Sequence, residues 1–267
     1  MIKFILLLLF PLFLFSKNLL LVSFPFESYF IKQISGDLTE ITQISNIYST
    51  KEKRLSNSSL KRLSDSNIYF HFALDVEKSY LKLLKEKNPQ LISVNMGFGI
   101  KKIKNDNKEN PFIWTDPLLV RDISKNIYEA LLKLDPVNKT TYTNNYNKFL
   151  LKLDNKFLDI KRKLYSKQLY GIYVYDKNWD YIAKRFRLDL YKKKKEYIKA
   201  DKIEKLVSFT KKNNINKVLI SINDKNDLVY TLSNNSSSTI IRHDIFNKSW
   251  DNTISLFISE ITKTPTK

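Results

Sequence analysis

The sequence has no cysteine, two histidines and four glycines among its 267 residues. Without cysteine it has no disulfide scaffold, no thiolate metal cluster and no cysteine nucleophile. Two histidines are too few for a histidine-rich zinc site. The glycines form neither a Rossmann fingerprint nor a Walker loop, which argues against a glycine-rich phosphate site. The motifs of serine hydrolases, zinc metalloproteases and paired-carboxylate enzymes are also missing, so we expect a protein that is not an enzyme.

The longest apolar run lies at the N-terminus. Phe4–Phe15 has no charged or polar side chain; Lys3 precedes it and the small residue Ser16 follows it. This arrangement is typical of a secretory signal peptide, and the run is too short to cross about 30 Å of hydrocarbon. We predict a signal peptide over residues 1–16 and a periplasmic protein that is not a lipoprotein, because it lacks the cysteine that carries the lipid. An uncleaved anchor stays open, since Leu14 stands where a small residue is preferred.

Acidic residues are scarce relative to basic ones. The chain has 46 Lys and Arg against 27 Asp and Glu, a net charge of +19. A basic surface attracts nucleic acids, acidic lipids and anionic ligands. No nucleic-acid-binding motif is present and we predict export, so we expect no nucleic-acid partner. The Lys192–Lys195 run is either a solvated face or a docking site, so peripheral contact with an anionic membrane surface stays open.

Apolar, strand-like runs alternate with amphipathic helical patterns along the rest of the chain. The strand-like runs are Leu19–Phe24, Ile68–Ala73, Leu91–Asn95, Leu169–Tyr175, Lys217–Ile222 and Ser238–Arg242. The helical patterns include Ser59–Ser64, Val76–Lys87, Leu118–Leu134, Lys202–Asn213 and Asn247–Thr262. Continuous hydrophobicity is typical of strands covered on both faces, as in parallel sheets. The alternation therefore predicts an α/β architecture.

One helical pattern, from Asp135 to about Lys167, is longer than the others. Pro136 suits a first helical turn, and Asp135 is a candidate N-cap. The apolar side chains that share one face are Tyr142, Tyr146, Phe149, Leu153, Phe157, Ile160 and Leu164. About 30 residues form a helix about 45 Å long. Such a helix either packs on one domain or joins two lobes.

Four stretches of the chain are similar to patterns of one protein family. Asn110–Pro117 (NPFIWTDP) resembles a D-P-H-x-W-x-D-P motif, and Asp176–Tyr181 (DKNWDY) resembles an H-x-x-[WF]-x-Y segment. Leu20–Gly36 resembles a first strand and helix that ends in Gly, and Asn67–Glu77 resembles an A-D stretch that ends in Glu. The family is that of the substrate-binding proteins of zinc/manganese-type metal ABC transporters.

The resemblance implies two Rossmann-like α/β lobes, each with a mostly parallel sheet, joined by one long bridging helix. It also implies a metal site in the cleft between the lobes. We therefore predict an N-terminal lobe over residues 17–134, a bridging helix over 135–168 and a C-terminal lobe over 169–267.

The resemblance also implies four metal-ligand positions, most of which are histidine in the family. In this sequence they fall at Lys51, Phe112, Asp176 and Asp244. A charged lysine and a phenylalanine cannot ligate a metal, so Lys51 and Phe112 line the cleft without binding. We predict that Asp176 and Asp244 are the ligands, with Glu52 and His243 as weaker candidates. Such an oxygen-rich set favours Mn²⁺ over Zn²⁺.

Two functions remain open from the sequence. In the first, a monomeric periplasmic protein captures a divalent metal, zinc or manganese, as cargo and delivers it to an ABC permease in the inner membrane. In the alternative, the fold persists but metal is no longer bound, and Lys51 and Phe112 serve an anionic ligand or a protein partner. Three further residues have structural explanations: we expect His71 to be a hydrogen-bonded core histidine, Trp114 to pack in the cleft wall or a lobe core, and Asp116 to cap the following helix.

Overall fold

A computed structural model describes residues 17–49, 51, 53–105, 107–167, 171–174, 178–191, 200–222 and 227–263. The predicted signal peptide over residues 1–16 and the Lys192–Lys195 run lie outside these residues. So do two of the predicted metal ligands, Glu52 and Asp176.

The first lobe is built on a four-stranded parallel sheet with the strand order β2-β1-β3-β4. In chain order its elements are β1 (Asn18–Val22), α1 (Pro25–Ser35), β2 (Thr39–Gln43), α2 (Asn57–Ser64), β3 (Ile68–His71), α3 (Asp75–Lys87), β4 (Ile92–Asn95), β5 (Lys104–Asn105), β6 (Lys108–Glu109) and α4 (Leu119–Leu134). The last two strands form a small antiparallel hairpin. Helix α1 ends as the resemblance implies, at Gly36, whose φ of +55° lies in the region that favours glycine.

The second lobe repeats this design with the strand order β10-β9-β7-β8, and all its described strand pairs are parallel. Its elements are β7 (Gly171–Val174), α6 (Asp180–Phe186), β8 (Asp189–Tyr191), α7 (Ile203–Lys212), β9 (Lys217–Ser221), α8 (Leu228–Ser236), β10 (Thr239–His243) and α9 (Trp250–Thr262). The two parallel sheets confirm the predicted α/β fold class.

Helix α5 (Lys139–Ser166) joins the two lobes. Its 28 residues span about 42 Å, and it packs against α1 and α4 of the first lobe and α9 of the second. The predicted apolar face is the packed one, with Tyr142, Phe149, Leu153, Ile160 and Leu164 buried.

The start of α5 differs from the expectation. Residues Pro136–Asn138 form a separate 3-10 turn, and Asp135 gives α5 no N-cap hydrogen bond. Instead, the Asp135 carboxylate accepts hydrogen bonds from Asn138 Nδ2 and Tyr142 Oη, each at 2.8 Å. The proline therefore fixes a tight turn before the helix and is not part of its first turn.

The hydrophobic core is continuous across the lobes. One cluster of buried residues contains Leu20, Phe70 and Val120 of the first lobe together with Ile182 and Ile258 of the second. A smaller cluster, which includes Val218 and Leu232, packs between the second sheet and α7 and α8. Among the helices in the described ranges, none is both long and apolar enough to cross a membrane.

Candidate functional site

The first lobe places its candidate site at the carboxyl ends of its strands. The strand order reverses direction between β1 and β3, and ligands of open α/β sheets bind at such a switch point. Phe26 follows β1, and Phe72 follows β3. Phe246 follows β10 of the second lobe and reaches the same region, where its ring lies 5.6 Å from Phe26.

Aromatic rings fill this region, and we call Phe26, Tyr48, Phe72, Phe112, Trp114 and Phe246 the interlobe aromatic cluster. The Trp114 ring lies 4.7 Å from Phe26 and 4.7 Å from Phe72. Phe246 stands edge-on to Phe112 at 5.7 Å and stacks flat on Tyr48 at 3.4 Å, as measured between ring centroids. Such ring pairs contribute roughly 0.5–1.5 kcal/mol each beyond the area they bury. The cluster therefore joins the two lobes where the family resemblance expects a metal.

Two tryptophans also connect the lobes through their ring N–H groups. Trp114 Nε1 donates to the carbonyl of Ile245 at 3.0 Å, and Trp250 Nε1 donates to the carbonyl of Trp114 at 2.6 Å. Trp114 is fully buried, which confirms that it packs in the wall between the lobes. Trp179, also fully buried, stacks on Phe257 at 3.6 Å in the core of the second lobe.

A polar bridge runs beside the aromatic cluster. Arg185 Nε donates to Asp116 Oδ2 at 2.8 Å, and Asn110 Nδ2 donates to Asp180 Oδ2 at 3.0 Å. The other oxygen of Asp116 accepts the backbone N–H of Leu118 at 2.9 Å, so this residue caps the start of α4 as predicted. Burial raises the pKa of the Asp116 carboxyl, although Arg185 and the backbone N–H groups oppose that rise.

We expect Arg185→Ala to destabilise the protein by about 2 kcal/mol at pH 7, because it leaves the Asp116 carboxylate buried without its cation. This value is below the range for fully buried pairs, because the Arg185 side chain is 34% exposed and solvent screens it. Urea unfolding followed by circular dichroism measures the loss. Adding Asp116→Asn should recover part of it, and no recovery would contradict a role for the charge.

Three of the four predicted ligand positions lie in segments that meet at the Phe246 ring, and the fourth, Asp176, lies outside the described residues. Phe112 contacts that ring directly. Asp244 lies two residues before Phe246, and its Oδ1 accepts the Phe246 backbone N–H at 2.9 Å. Lys51 is exposed three residues after Tyr48, which stacks on Phe246. The three segments therefore meet around an aromatic ring between the lobes.

His243 is the last residue of β10 and is buried. Its ring stands edge-on to Trp179 at 5.1 Å, on the core side of the strand end. Glu52 and Asp176 lie outside the described residues. Within the described part of the chain, no group of three or more His, Asp or Glu side chains is arranged to hold a metal.

His71 is a hydrogen-bonded core residue, as predicted. Its Nδ1 accepts the backbone N–H of Ala73 at 3.0 Å, so the ring proton sits on Nε2, which faces Ser93 Oγ at 2.9 Å. Burial lowers the pKa of His71 to about 4. Since Nε2 carries the proton, His71 donates to Ser93 and cannot act as the base that would activate a serine nucleophile.

A comparison with protein families identifies the family to which this chain belongs. The family described as ZnuA, zinc-uptake complex component A, periplasmic, matches residues 20–253. This protein belongs to the ZnuA family. The match covers both lobes and the bridging helix, and it confirms the resemblance stated from the sequence. No curated protein sequence matches the chain.

Solved structures show the same fold at low sequence identity. A zinc-bound deletion mutant of ZnuA superposes with a TM-score of 0.82 at 20% identity, covering 94% of this chain and 99% of that one. The laminin-binding protein Lmb of Streptococcus agalactiae gives 0.80 at 16% identity, covering 94% and 100% of the two chains. A manganese-bound mutant of a periplasmic metal-binding protein from Candidatus Liberibacter asiaticus gives 0.77 at 14% identity, with the same coverage.

Two residues of the site were missed by sequence reasoning. Tyr48 and Phe246 form the flat ring stack between the lobes, yet neither stands at a ligand position of the family. Phe246 has one usable signal, because it lies two residues after Asp244. Tyr48 has no comparable signal.

Proposed function

We propose that this protein is the periplasmic substrate-binding component of an ABC-type metal uptake system, not an enzyme. It would capture a divalent cation between its lobes and deliver it, as a monomer, to a permease in the inner membrane. The observation that carries this proposal is the ZnuA family match over residues 20–253, which includes both lobes and the bridging helix. Similar proteins that bind zinc, manganese and cadmium support the cargo class.

The residues of this chain restrict which metal the cleft would accept. Asp244 lies at the family's acidic position, and its Oδ1 accepts the backbone N–H of Phe246 at 2.9 Å. We propose Asp176 as its counterpart, with Glu52 and His243 as further donors. Carboxylate oxygens suit Mn²⁺ better than Zn²⁺, which prefers nitrogen and sulfur ligands. Manganese is therefore the cargo that we propose for this site.

The interlobe aromatic cluster favours a second candidate function. Phe112 replaces a ligand with an apolar ring, and that ring packs against Phe246 and Trp114. A cleft lined in this way, with exposed Lys51 near its edge, suits a ligand that has an apolar body and a negative charge. In this case the protein is a divergent ZnuA-family member that has lost the metal and binds an anion or a protein partner.

Calorimetric titration of chelator-treated protein, residues 17–267, with Mn²⁺ and Zn²⁺ separates the two functions. We expect sub-micromolar Mn²⁺ binding, weaker Zn²⁺ binding, and loss of both in Asp176→Ala and in Asp244→Ala. Asp75→Ala is the matched control, because Asp75 is a fully exposed acid outside the cleft that pairs with Lys78.

The opposite result would support the second function. If neither ion binds or stabilises the protein, metal transport is wrong for this chain, because a ligand of the folded state must raise its stability. An aromatic carboxylate such as benzoate should then raise the melting temperature, and Lys51→Ala should reduce that effect.

A further inference from the structure

Two buried glutamates stand at the switch point of the first sheet, below the interlobe aromatic cluster. Glu27 and Glu77 are the third residues of α1 and α3, the helices that follow the adjacent strands β1 and β3. Glu27 is 0% exposed and Glu77 is 1% exposed. Neither forms a salt bridge with any of the described basic side chains, which is unusual for buried carboxyl groups.

One oxygen of each carboxyl group satisfies the backbone at the start of its own helix. Glu27 Oε2 accepts the N–H groups of Ser23 at 2.8 Å and Phe24 at 2.9 Å. Glu77 Oε2 accepts those of Phe72 at 3.0 Å and Leu74 at 2.8 Å. These bonds explain why glutamate stands at both positions, since a carboxylate suits the positive end of a helix dipole.

The second oxygen of each group has no such donor. Oε1 of Glu27 and Oε1 of Glu77 are both buried, and no described N–H or O–H group donates to either of them. The two carboxyl groups are in contact with each other. Two ionised carboxylates offer only acceptors, so the contact is favourable only if one of the two groups carries a proton.

We propose that Glu27 and Glu77 hold one shared proton at neutral pH, with Glu27 as the donor and Glu77 as the ionised acceptor. The proton would join the start of α1 to the start of α3 by a hydrogen bond. It would thereby hold in place the floor of the interlobe cleft, where Phe26 and Phe72 support the Trp114 ring. This inference stands whether the cargo is a metal or an anion, because it uses neither.

The surroundings favour this assignment of the proton. Burial and, next, the Glu77 charge raise the pKa of Glu27 well above its usual value. Burial also raises the pKa of Glu77, while its contact with Glu27, the backbone N–H groups of Leu74 and Phe72 and the Ser23 hydroxyl oppose the rise. Three other titratable groups act on the pair or its neighbours: Tyr69, whose hydroxyl lies 2.5 Å from Ser23 Oγ, and, farther out, Tyr48 and Tyr80. Lys78 pairs with the exposed carboxylate of Asp75 and not with either glutamate.

Loss of the shared proton would displace the aromatic rings that line the cleft. Phe24, the N-cap of α1, stands edge-on to Tyr48 at 5.2 Å, and Phe26 and Phe72 support the Trp114 ring. A second buried negative charge would drive the two helix starts apart, and these rings would move with them. We therefore expect the cleft floor to loosen as the pH rises.

The sign of the stability effect follows from the raised pKa values. The folded protein holds a proton that the unfolded chain loses near the ordinary glutamate value of 4.5. The stabilisation is therefore complete below that pH and is lost as the pH rises through the pKa of the folded pair. Between these two pKa values, each increase of one pH unit raises the unfolding equilibrium constant about tenfold, because unfolding releases one proton.

Glu27→Gln is the direct test. Its amide oxygen can still accept both backbone N–H groups, and its amide nitrogen can donate to Glu77 without a titratable proton. Infrared spectra of the wild type should show the carbonyl band of a protonated carboxyl group at pH 7, and Glu27→Gln, which removes the protonated group, should lack it. Urea unfolding from pH 7 to pH 9, above the range in which His71 of the unfolded chain releases its proton, should show the tenfold slope in the wild type and not in Glu27→Gln. Glu86→Gln, an exposed position on α3, is the matched control and should keep both signals.

Tryptophan fluorescence gives a second readout besides stability. We expect the emission of the folded wild type to change with rising pH, since Trp114 rests on Phe26 and Phe72, and we expect no such change in Glu27→Gln. The proposal is wrong if the wild type has no protonated carboxyl band at pH 7. It is equally wrong if the pH slope of unfolding survives in Glu27→Gln.

Discussion

Trp114→Ala is expected to destabilise the protein by about 4 kcal/mol, within the range of roughly 3–5 kcal/mol for deletion of a buried large aromatic ring. Trp114 is fully buried and touches rings from both lobes. The change removes these contacts and also the donor to the Ile245 carbonyl. Urea unfolding followed by far-ultraviolet circular dichroism measures the loss without relying on tryptophan emission.

Two further variants divide this effect into its parts. Trp114→Phe keeps most of the ring packing but removes the N–H donor, so we expect a smaller loss of about 1–2 kcal/mol. Phe98→Ala is the control for an aromatic ring at the surface, because Phe98 is 76% exposed, and we expect a change within about 0.5 kcal/mol. A Trp114→Ala loss no larger than that of Phe98→Ala would mean that the lobes are held together elsewhere.

The interior strands were predictable because they are apolar on both faces. Lys217–Ser221 and Ile68–His71 lie within runs that the sequence marks clearly. The strands Thr39–Gln43 and Asp189–Tyr191, each at an edge of its sheet, were missed because their short sequences contain no continuous apolar run. Thr39–Gln43 pairs on one side only and has the mostly polar sequence TEITQ, so its strand character comes from pairing with β1.

The periodicity of apolar residues also does not mark where α1 begins. Its N-cap is Phe24, which offers no side-chain oxygen, and the capping function passes to Glu27. Pro25 at the first helical position and Gly36 after the last one are the usable signals for this helix. The contact between Glu27 and Glu77 has no sequence signal, because each looks like an ordinary acid in a first helical turn.

The site itself was predictable only at positions where the family has a pattern. Phe112 and Asp244 are found by their motifs, and the structure places their segments together. The Tyr48–Phe246 stack depends on loops from different lobes, and only the folded chain brings them into contact. Sequence reasoning therefore predicted that metal ligands have been replaced but did not predict that rings pack between the lobes.

Phe112→His combined with Lys51→His is expected to create zinc binding stronger than that of the wild type. The two changes add imidazole nitrogens, which zinc prefers, at the two family positions that now lack a ligand atom. Phe112 packs beside Phe246, which lies two residues after Asp244. An imidazole at position 112 would therefore lie near the Asp244 segment. Zinc at about 100 times its Kd would stabilise the variant by about 2.7 kcal/mol, measured as a thermal shift that a chelator reverses.

Phe112→Leu combined with Lys51→Ala is the matched control, because it removes the same ring and the same charge without adding a ligand. If zinc stabilises the histidine variant alone, the wild-type cleft has the shape of a metal site and lacks only the imidazole donors that zinc prefers. If zinc stabilises neither, the ring stack of Tyr48 and Phe246 closes the space where the ion would sit. Adding Phe246→Ala to the histidine variant should then produce zinc binding, which would identify that ring as the obstruction.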